Sequence, residues 1–256
     1  MSDQVTRQLN LDLDDNRLDY TVRVSTRSRR MRLEVTPLGD VCVIIPKRVS
    51  PRHVPRFVAQ NRAWLDATLD KLAQRRRRDP GLYEPLPKSI QLKALDQTWL
   101  VDYQPGAGRR LMRDNPHHRV VTLKAGSSGA CRDLLRNWLQ QQGRQHLVPW
   151  LHETSDEIGL PFNKVTIRGQ KTRWGSCSTR HDISLNRNLL LLPPDLVRYL
   201  MIHELCHTVH LNHSRAYWSL VKRFEPDYRQ RERALNEAAY SLPYWTYSRD
   251  TDASTS

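Results

Sequence analysis

"PDLVRYLMIHELCHTVHLNH", residues 194–213, places four histidines and one glutamate within eleven residues of a chain that has ten histidines in all. Pro193, Pro194 and Asp195 fit the start of a helix, and "LVRYLMIHELCHTVH" sustains it. Four residues at roughly 100° each bring the chain back to the same face one turn along. His203 and His207 therefore project side by side, near enough for two imidazoles to share one Zn²⁺, while Glu204 points slightly aside. Leu200, Met201, Ile202 and Leu205 make the segment apolar almost all round, so it reads as buried. Two buried histidines and a buried carboxylate are costly there without a metal or hydrogen-bonded partners.

A third protein ligand has to come from nearby. His210 shares the face of His207 but stands about 10 Å along the axis from His203, too far for one ion to bridge. His213 is better placed if the helix ends near Leu211-Asn212 and the chain turns back, Asn being a good helix stop. Three protein ligands leave a position for water, the catalytic arrangement of zinc, with Glu204 beside it as general base. The spacing predicts one Zn²⁺ per chain on His203, His207 and His213, and hydrolysis as the chemistry.

The rest of the chain bounds this reading. Its 256 residues fit one large domain or two small ones, and the seven Trp and 38% apolar content allow a real core. No apolar run approaches the ~18 residues that span a bilayer, so no membrane is expected. "MSDQVTRQLNLDLDDN" (1–16) has no apolar core and no cleavage pattern, and is read as a polar leader rather than a signal peptide, which implies a cytoplasmic protein. Cys42, Cys131, Cys177 and Cys206 form no C-x-x-C pair, which argues against a thiolate zinc site and suits a reducing compartment. The net charge of +14 makes this a basic protein and raises nucleic acid as a partner of its surface; the alternative is a solvated basic surface.

Hydrophobic alternation marks three strands, at Tyr20-Val22-Val24, Met31-Leu33-Val35 and Val41-Val43-Ile45, with a turn at Pro37-Leu38-Gly39-Asp40. A helix follows from Ser50 as cap, with Val54, Phe57, Val58, Trp64, Leu65 and Leu69 as its apolar stripe, ending in Arg75–Arg78. Residues 89–124 resemble three more strands, with turns at "YQPGAG" and "RDNPHH". A helix from Gly129 is expected to break near Pro149, resume to Ile158 and stop at Gly159. "KVTIRG" and "DISLN" read as strands around the loop "QKTRWGSCSTRH", and two helical stretches follow Ser214 to about Ala239. No sequence repeat is visible. The implied organisation is a leader (1–16), a β-rich part with one long helix (17–127), a catalytic domain (128–240) and a tail (241–256) disordered at its end.

Beyond these local patterns, "KTRWGSCS" (171–178), "ISLNRNLLLLP" (183–193), "YLMIHELCH" (199–207), "NHSRAYW" (212–218) and "PDY" (226–228) together resemble the YgjP-like metallopeptidase family, zincins related to the SprT and WLM types. "VRVSTRSRRMRLEV" and "FVAQNRAWL" resemble its β-rich leading part. The resemblance implies an α+β chain, a β-rich N-terminal part followed by a mostly helical zincin-like domain. It implies His203, His207 and His213 on zinc, Glu204 as catalytic base and polypeptide as substrate. Arg173 and Tyr217 are candidate substrate contacts, and strand 183–186 a candidate edge for an extended peptide. Asn186 is read as fixing a turn and Cys206 as core. The alternative activity is that of a nucleotide (UTP-type) pyrophosphatase, in which the same metal site works beside Lys171 and Arg173.

Overall fold

A computed structural model describes residues 6–11, 18–26, 28–36, 39–106, 110–170 and 173–247. Pro37 and Leu38 of the first expected turn, residues 107–109 of "YQPGAG", Lys171, Thr172 and the tail from 248 lie outside the described residues. The chain divides into two compact units, Met1–Pro80 and Gly81–Ser256.

In the first unit, β1 (Thr6–Leu11), β2 (Leu18–Ser25), β3 (Arg32–Val35) and β4 (Val41–Pro46) form one sheet in the order β1-β2-β4-β3. The central strands β2 and β4 run parallel, and each outer strand is antiparallel to its neighbour. Residues 6–11, inside the stretch read as a leader, are thus a strand. The edge of β2 offers backbone N–H and C=O groups that a polar segment satisfies as well as an apolar one. Tyr20, Val22, Val41, Val43 and Ile45 alternate onto one face and bury against Val54, Val58 and Leu65.

Those last three come from a helix that is split where one was expected. A 3-10 turn at Pro51–His53 leads into α1 (Val54–Gln60), and α2 (Arg62–Arg78) follows a break at Asn61. Ser50 makes no side-chain cap. The Asn61 amide donates to the Phe57 carbonyl (2.8 Å), taking an acceptor that a continuous helix gives to its own ladder. Trp64, assigned to the apolar stripe, is 50% exposed, because a residue next to buried Leu65 stands about 100° away from it.

The second unit opens with β5 (Ser89–Leu92), β6 (Gln97–Pro105), β7 (Leu111–Asn115) and β8 (Val120–Ala125), one strand more than expected. A 3-10 turn at Lys93–Leu95, closed by Asp96 in the left-handed region, divides what reads as a single strand. The order is β5-β6-β8-β7 with β6 and β8 parallel, so the strand plan of the first unit is used again, although no sequence repeat announces it. The sequence reading groups this sheet with the N-terminal part up to residue 127. In the structure its Ile90, Leu92, Trp99, Val121 and Leu123 share one core with the helices that follow.

α3 (Ser128–Ile158) is capped by Ser127, whose hydroxyl accepts from the Ala130 N–H (3.2 Å), and ended by Gly159 in the left-handed region (φ +69°). It runs unbroken through Pro149. Leu135, Trp138, Leu139, Leu147 and Leu151 hold one side of it in the core, while Pro149 and Gln145 are exposed. Pro149 has no N–H for the Gln145 carbonyl, and both residues stand on the solvent-facing side, where that loss is tolerated.

Three strands then form a small sheet: β9 (Lys164–Arg168), β10 (Gly175–Cys177) and β11 (Asp182–Asn186), in the order β10-β11-β9. β10 lies within the stretch read as a loop. The remaining helices are α4 (Pro194–Cys206), α5 (Arg215–Phe224) and α6 (Tyr228–Ala238). Past α6, Trp245 is buried, and the Arg136 guanidinium donates to the Trp245 and Tyr247 carbonyls, so the first part of the expected tail packs on α3. The whole is an α+β chain with β-sheets first and helices after them. Among the described residues no helix is long and apolar enough to cross a membrane.

Candidate metal centre

α4 forms because Pro194 presets its first turn, Asp195 faces the positive end of the helix, and nine of its residues bury their side chains. It ends at Cys206, a turn and a half before the expected stop at Leu211-Asn212. His207 N–H bonds the Glu204 carbonyl, Thr208 N–H that of Leu205 and Val209 N–H that of Cys206, so the last turn tightens to i→i−3 spacing. The His203 carbonyl, the acceptor His207 N–H would otherwise use, takes the Tyr217 hydroxyl instead (3.1 Å). α5 delivers that hydroxyl, and Ser214 caps α5 by accepting from Tyr217 N–H.

This early end brings three histidines together. The ring nitrogens of His203, His207 and His213 lie within 4.8 Å of one another and could hold one metal ion. Nε2 of His213 is 3.4 Å from Nε2 of His203. Two nitrogens bound tetrahedrally at zinc–nitrogen length stand about 3.4 Å apart, so the donor set fits. Nδ1 of His207 donates to the His210 carbonyl (3.0 Å), which leaves Nε2 as the lone-pair donor. His210 thus contributes its backbone while its ring takes no part in the cluster. Burial, then the neighbouring His207 and His213, holds His203 down at about 3, so its imidazole is neutral near pH 7.

Aromatic rings frame the cluster. Tyr217 is fully buried and stacks on His207 with ring centroids 4.4 Å apart. It lies against the histidines, with its hydroxyl donated to the His203 carbonyl. Trp218 stacks on His213 (5.5 Å) and, in turn, Tyr228 stacks on Trp218 (5.2 Å).

Glu204 is buried, and among the described residues its Oε2 has no hydrogen-bond partner. Burial pushes its carboxyl up to about 8, with the Arg173 charge opposing the rise. Arg173 is exposed, close enough to act on Glu204 through its charge. Gly175 makes room for the carboxylate: a Cβ there would stand 2.4 Å from Oε1 of Glu204. The Gly175 backbone is held by buried Asn186, whose N–H bonds the Trp174 carbonyl and whose amide donates to the Gln170 and Arg173 carbonyls. Trp174 pins the other side by donating from its indole to the Leu235 carbonyl (3.1 Å). Cys177 is pushed up to about 11 by burial, then by Glu204 and Asp182, so it stays a thiol.

One expectation about the cleft is reversed. β11, proposed as an edge for an extended peptide, is the central strand, paired on both sides. The edge strand is β10, which among the described residues pairs only with β11. Gly175 and Trp218 were not identified as site residues. Their signals, a glycine after "RW" and an aromatic pair after the last histidine, are present but acquire meaning only through partners elsewhere in the chain.

A family model described as "YgjP-like, metallopeptidase domain" matches residues 29–238. Comparison with curated proteins found no match. Among solved structures, the metallopeptidase zymogen abylysin of Pyrococcus abyssi matches at 26% identity with a TM-score of 0.31, over 34% of this chain and 90% of its own. The matched residues 29–238 contain the three histidines, Glu204 and the strand that shelters it, and the chain belongs to the YgjP-like family, hydrolases with a metallopeptidase domain.

Proposed function

We propose that the protein is a zinc-dependent peptidase in which His203, His207 and His213 hold the ion and Glu204 is the general base. The observation that carries this is the buried Glu204 Oε2, which among the described residues has no hydrogen-bond partner and lies beside three converging imidazoles. A folded protein rarely leaves such an atom unpaired unless a ligand or reactant completes it. Zinc would supply Lewis-acid polarisation of the scissile carbonyl and acidify a water near neutrality.

The remaining tasks fall to the chain itself. Glu204 accepts the proton of the attacking water and returns it to the leaving amine. A carboxyl lifted by burial, then lowered by a nearby cation, works near neutral pH in both directions. The Asn186 clamp keeps the Gly175 backbone in place and so fixes the space Glu204 occupies. Arg173, exposed nearby, is the candidate partner for a substrate carbonyl.

The test is Glu204→Gln, assayed with zinc content measured alongside. The variant should keep one zinc per chain, while hydrolysis of unfolded protein falls by roughly 10²–10⁴. His203→Ala and His207→Ala should lose the metal. Near-wild-type turnover in zinc-loaded Glu204→Gln would refute the mechanism. Hydrolysis of UTP and not of protein would replace the peptidase by the pyrophosphatase.

A further inference from the structure

Beyond the histidines, α5 and α6 bound a pocket of about 460 Å³. Arg215, Trp218 and Lys222 follow one another on a single face of α5, at helical spacings of three and four. Tyr228, Arg229 and Glu232 supply the opposite wall from α6. The pocket adjoins the candidate metal centre through one ring, since Trp218 stacks on His213 as well as on Tyr228.

Three of these side chains are cations and one is an acid. Arg215 and Lys222 are exposed and carry no ion pair among the described residues. Arg229 lies against the aromatic wall, its Nε donating to the Tyr228 hydroxyl (3.2 Å). Glu232 offsets only one of the three charges. The lining therefore attracts an anion, and the Trp218–Tyr228 wall suits an anion carried on an aliphatic stem. Ring centroids step 5.5 Å from His213 to Trp218 and 5.2 Å on to Tyr228, a span that an extended chain, advancing about 3.3–3.6 Å per residue, covers in two or three residues.

We propose that this pocket is a specificity subsite for an acidic side chain of the polypeptide substrate, two or three residues from the bond cleaved. The proposal rests on the peptidase reading, and its test does not require turnover. Zinc-loaded Glu204→Gln protein is titrated with labelled decapeptides that differ only in carrying Glu, Gln, Lys or phosphoserine at each position in turn. Binding is read by fluorescence anisotropy at low and physiological salt.

At one position Glu should bind about tenfold more tightly than Gln, the advantage of a charge-assisted contact. That advantage should vanish in the Arg215→Gln/Lys222→Met double variant and equally in Lys222→Glu, each of which leaves as many acids as cations in the lining. Circular dichroism verifies that the variants, altered on exposed helix faces, remain folded. Equal affinity for Glu and Gln at every position overturns the subsite, as does a Glu preference that survives in the double variant. Lys222-dependent binding of phosphoserine peptides and inorganic phosphate, with none for Glu, also overturns it and makes the pocket a phosphate site. A Glu preference in binding with no hydrolysis of any peptide by the wild type sinks the peptidase reading and leaves the subsite. Hydrolysis without charge preference does the reverse.

Discussion

Between Gly175 and Glu204 there is no space for a methyl group: a Cβ at 175 would also come within 2.9 Å of Cγ and Cδ of the glutamate. Gly175→Ala should cost about 1–3 kcal/mol, as overpacking of a buried contact does, and should lower turnover by displacing the carboxylate while zinc is retained. Thermal melting, metal analysis and an activity assay together check this; an alanine variant with wild-type melting and turnover rules the contact out as a constraint. Glu204 itself gives a pH dependence. In the metal-free protein burial raises its carboxyl from 4.5 to about 8, so the folded state holds the proton more tightly than the unfolded chain. Its contribution to stability is complete below about pH 4.5 and is lost progressively as pH rises through 8. Metal-free Glu204→Gln carries no such proton, so its stability advantage over the wild type should widen from pH 4.5 to 8 and then level off. His203, depressed to about 3, acts in the opposite sense, with stability present above about pH 6.5 and lost as pH falls, but equally in both proteins. Urea denaturation at pH 5, 7 and 9 measures the gap, and a constant gap contradicts the burial of Glu204. At this scale the sequence was legible where the chemistry is local. His203, Glu204 and His207 lie within one helical turn and a half, so periodicity alone brings them together. Gly175 and Trp218 were not legible, since what each does depends on a partner that only the tertiary fold supplies.

At the scale of elements, the tightened end of α4 is tied to α5 by one hydrogen bond, from the Tyr217 hydroxyl to the His203 carbonyl. Tyr217→Phe leaves that carbonyl unpaired beneath the cluster and should cost about 1–3 kcal/mol. It should also weaken zinc binding, because the helix end that carries two of the histidines is no longer anchored. Melting temperature and a competitive zinc titration test both effects; a Phe variant as stable and as zinc-avid as the wild type would show that the hydroxyl does not hold this end. The helices and most strands were readable from periodicity, but their ends and breaks were not. Pro149 is an exception to a sound local rule, overridden because its face is exposed and the opposite face is packed. The misassigned edge strand has a different origin. β10 is only three residues long and carries no alternation to detect, so the loop hid the strand that makes β11 central.

For the whole molecule, each unit begins with the same four-strand plan, two parallel central strands flanked by antiparallel partners, and follows it with a helix. Each has its own buried cluster, and the larger one contains the helix that bears His203. Limited trypsin digestion should therefore cut first between Arg75 and Lys88, where α2 ends in four arginines and a proline-rich connector begins. The fragment that starts there should resist further cleavage and retain zinc. Loss of the metal on release of the first unit would show that residues 1–80 support the site. The shared plan escaped sequence analysis because strand order is set by which backbone edges meet, and residues that satisfy that requirement need not resemble one another.

The three histidines differ in one respect that bears on time rather than strength. His203 lies in a packed helix and buried His207 caps its end, whereas His213 stands on the exposed turn that follows. If the three hold an ion as proposed, unequal anchoring predicts sequential departure with the outer imidazole first, so the rate of metal loss should rise with chelator concentration. An ion held in this way would be tightly bound at equilibrium and still leave without the protein unfolding.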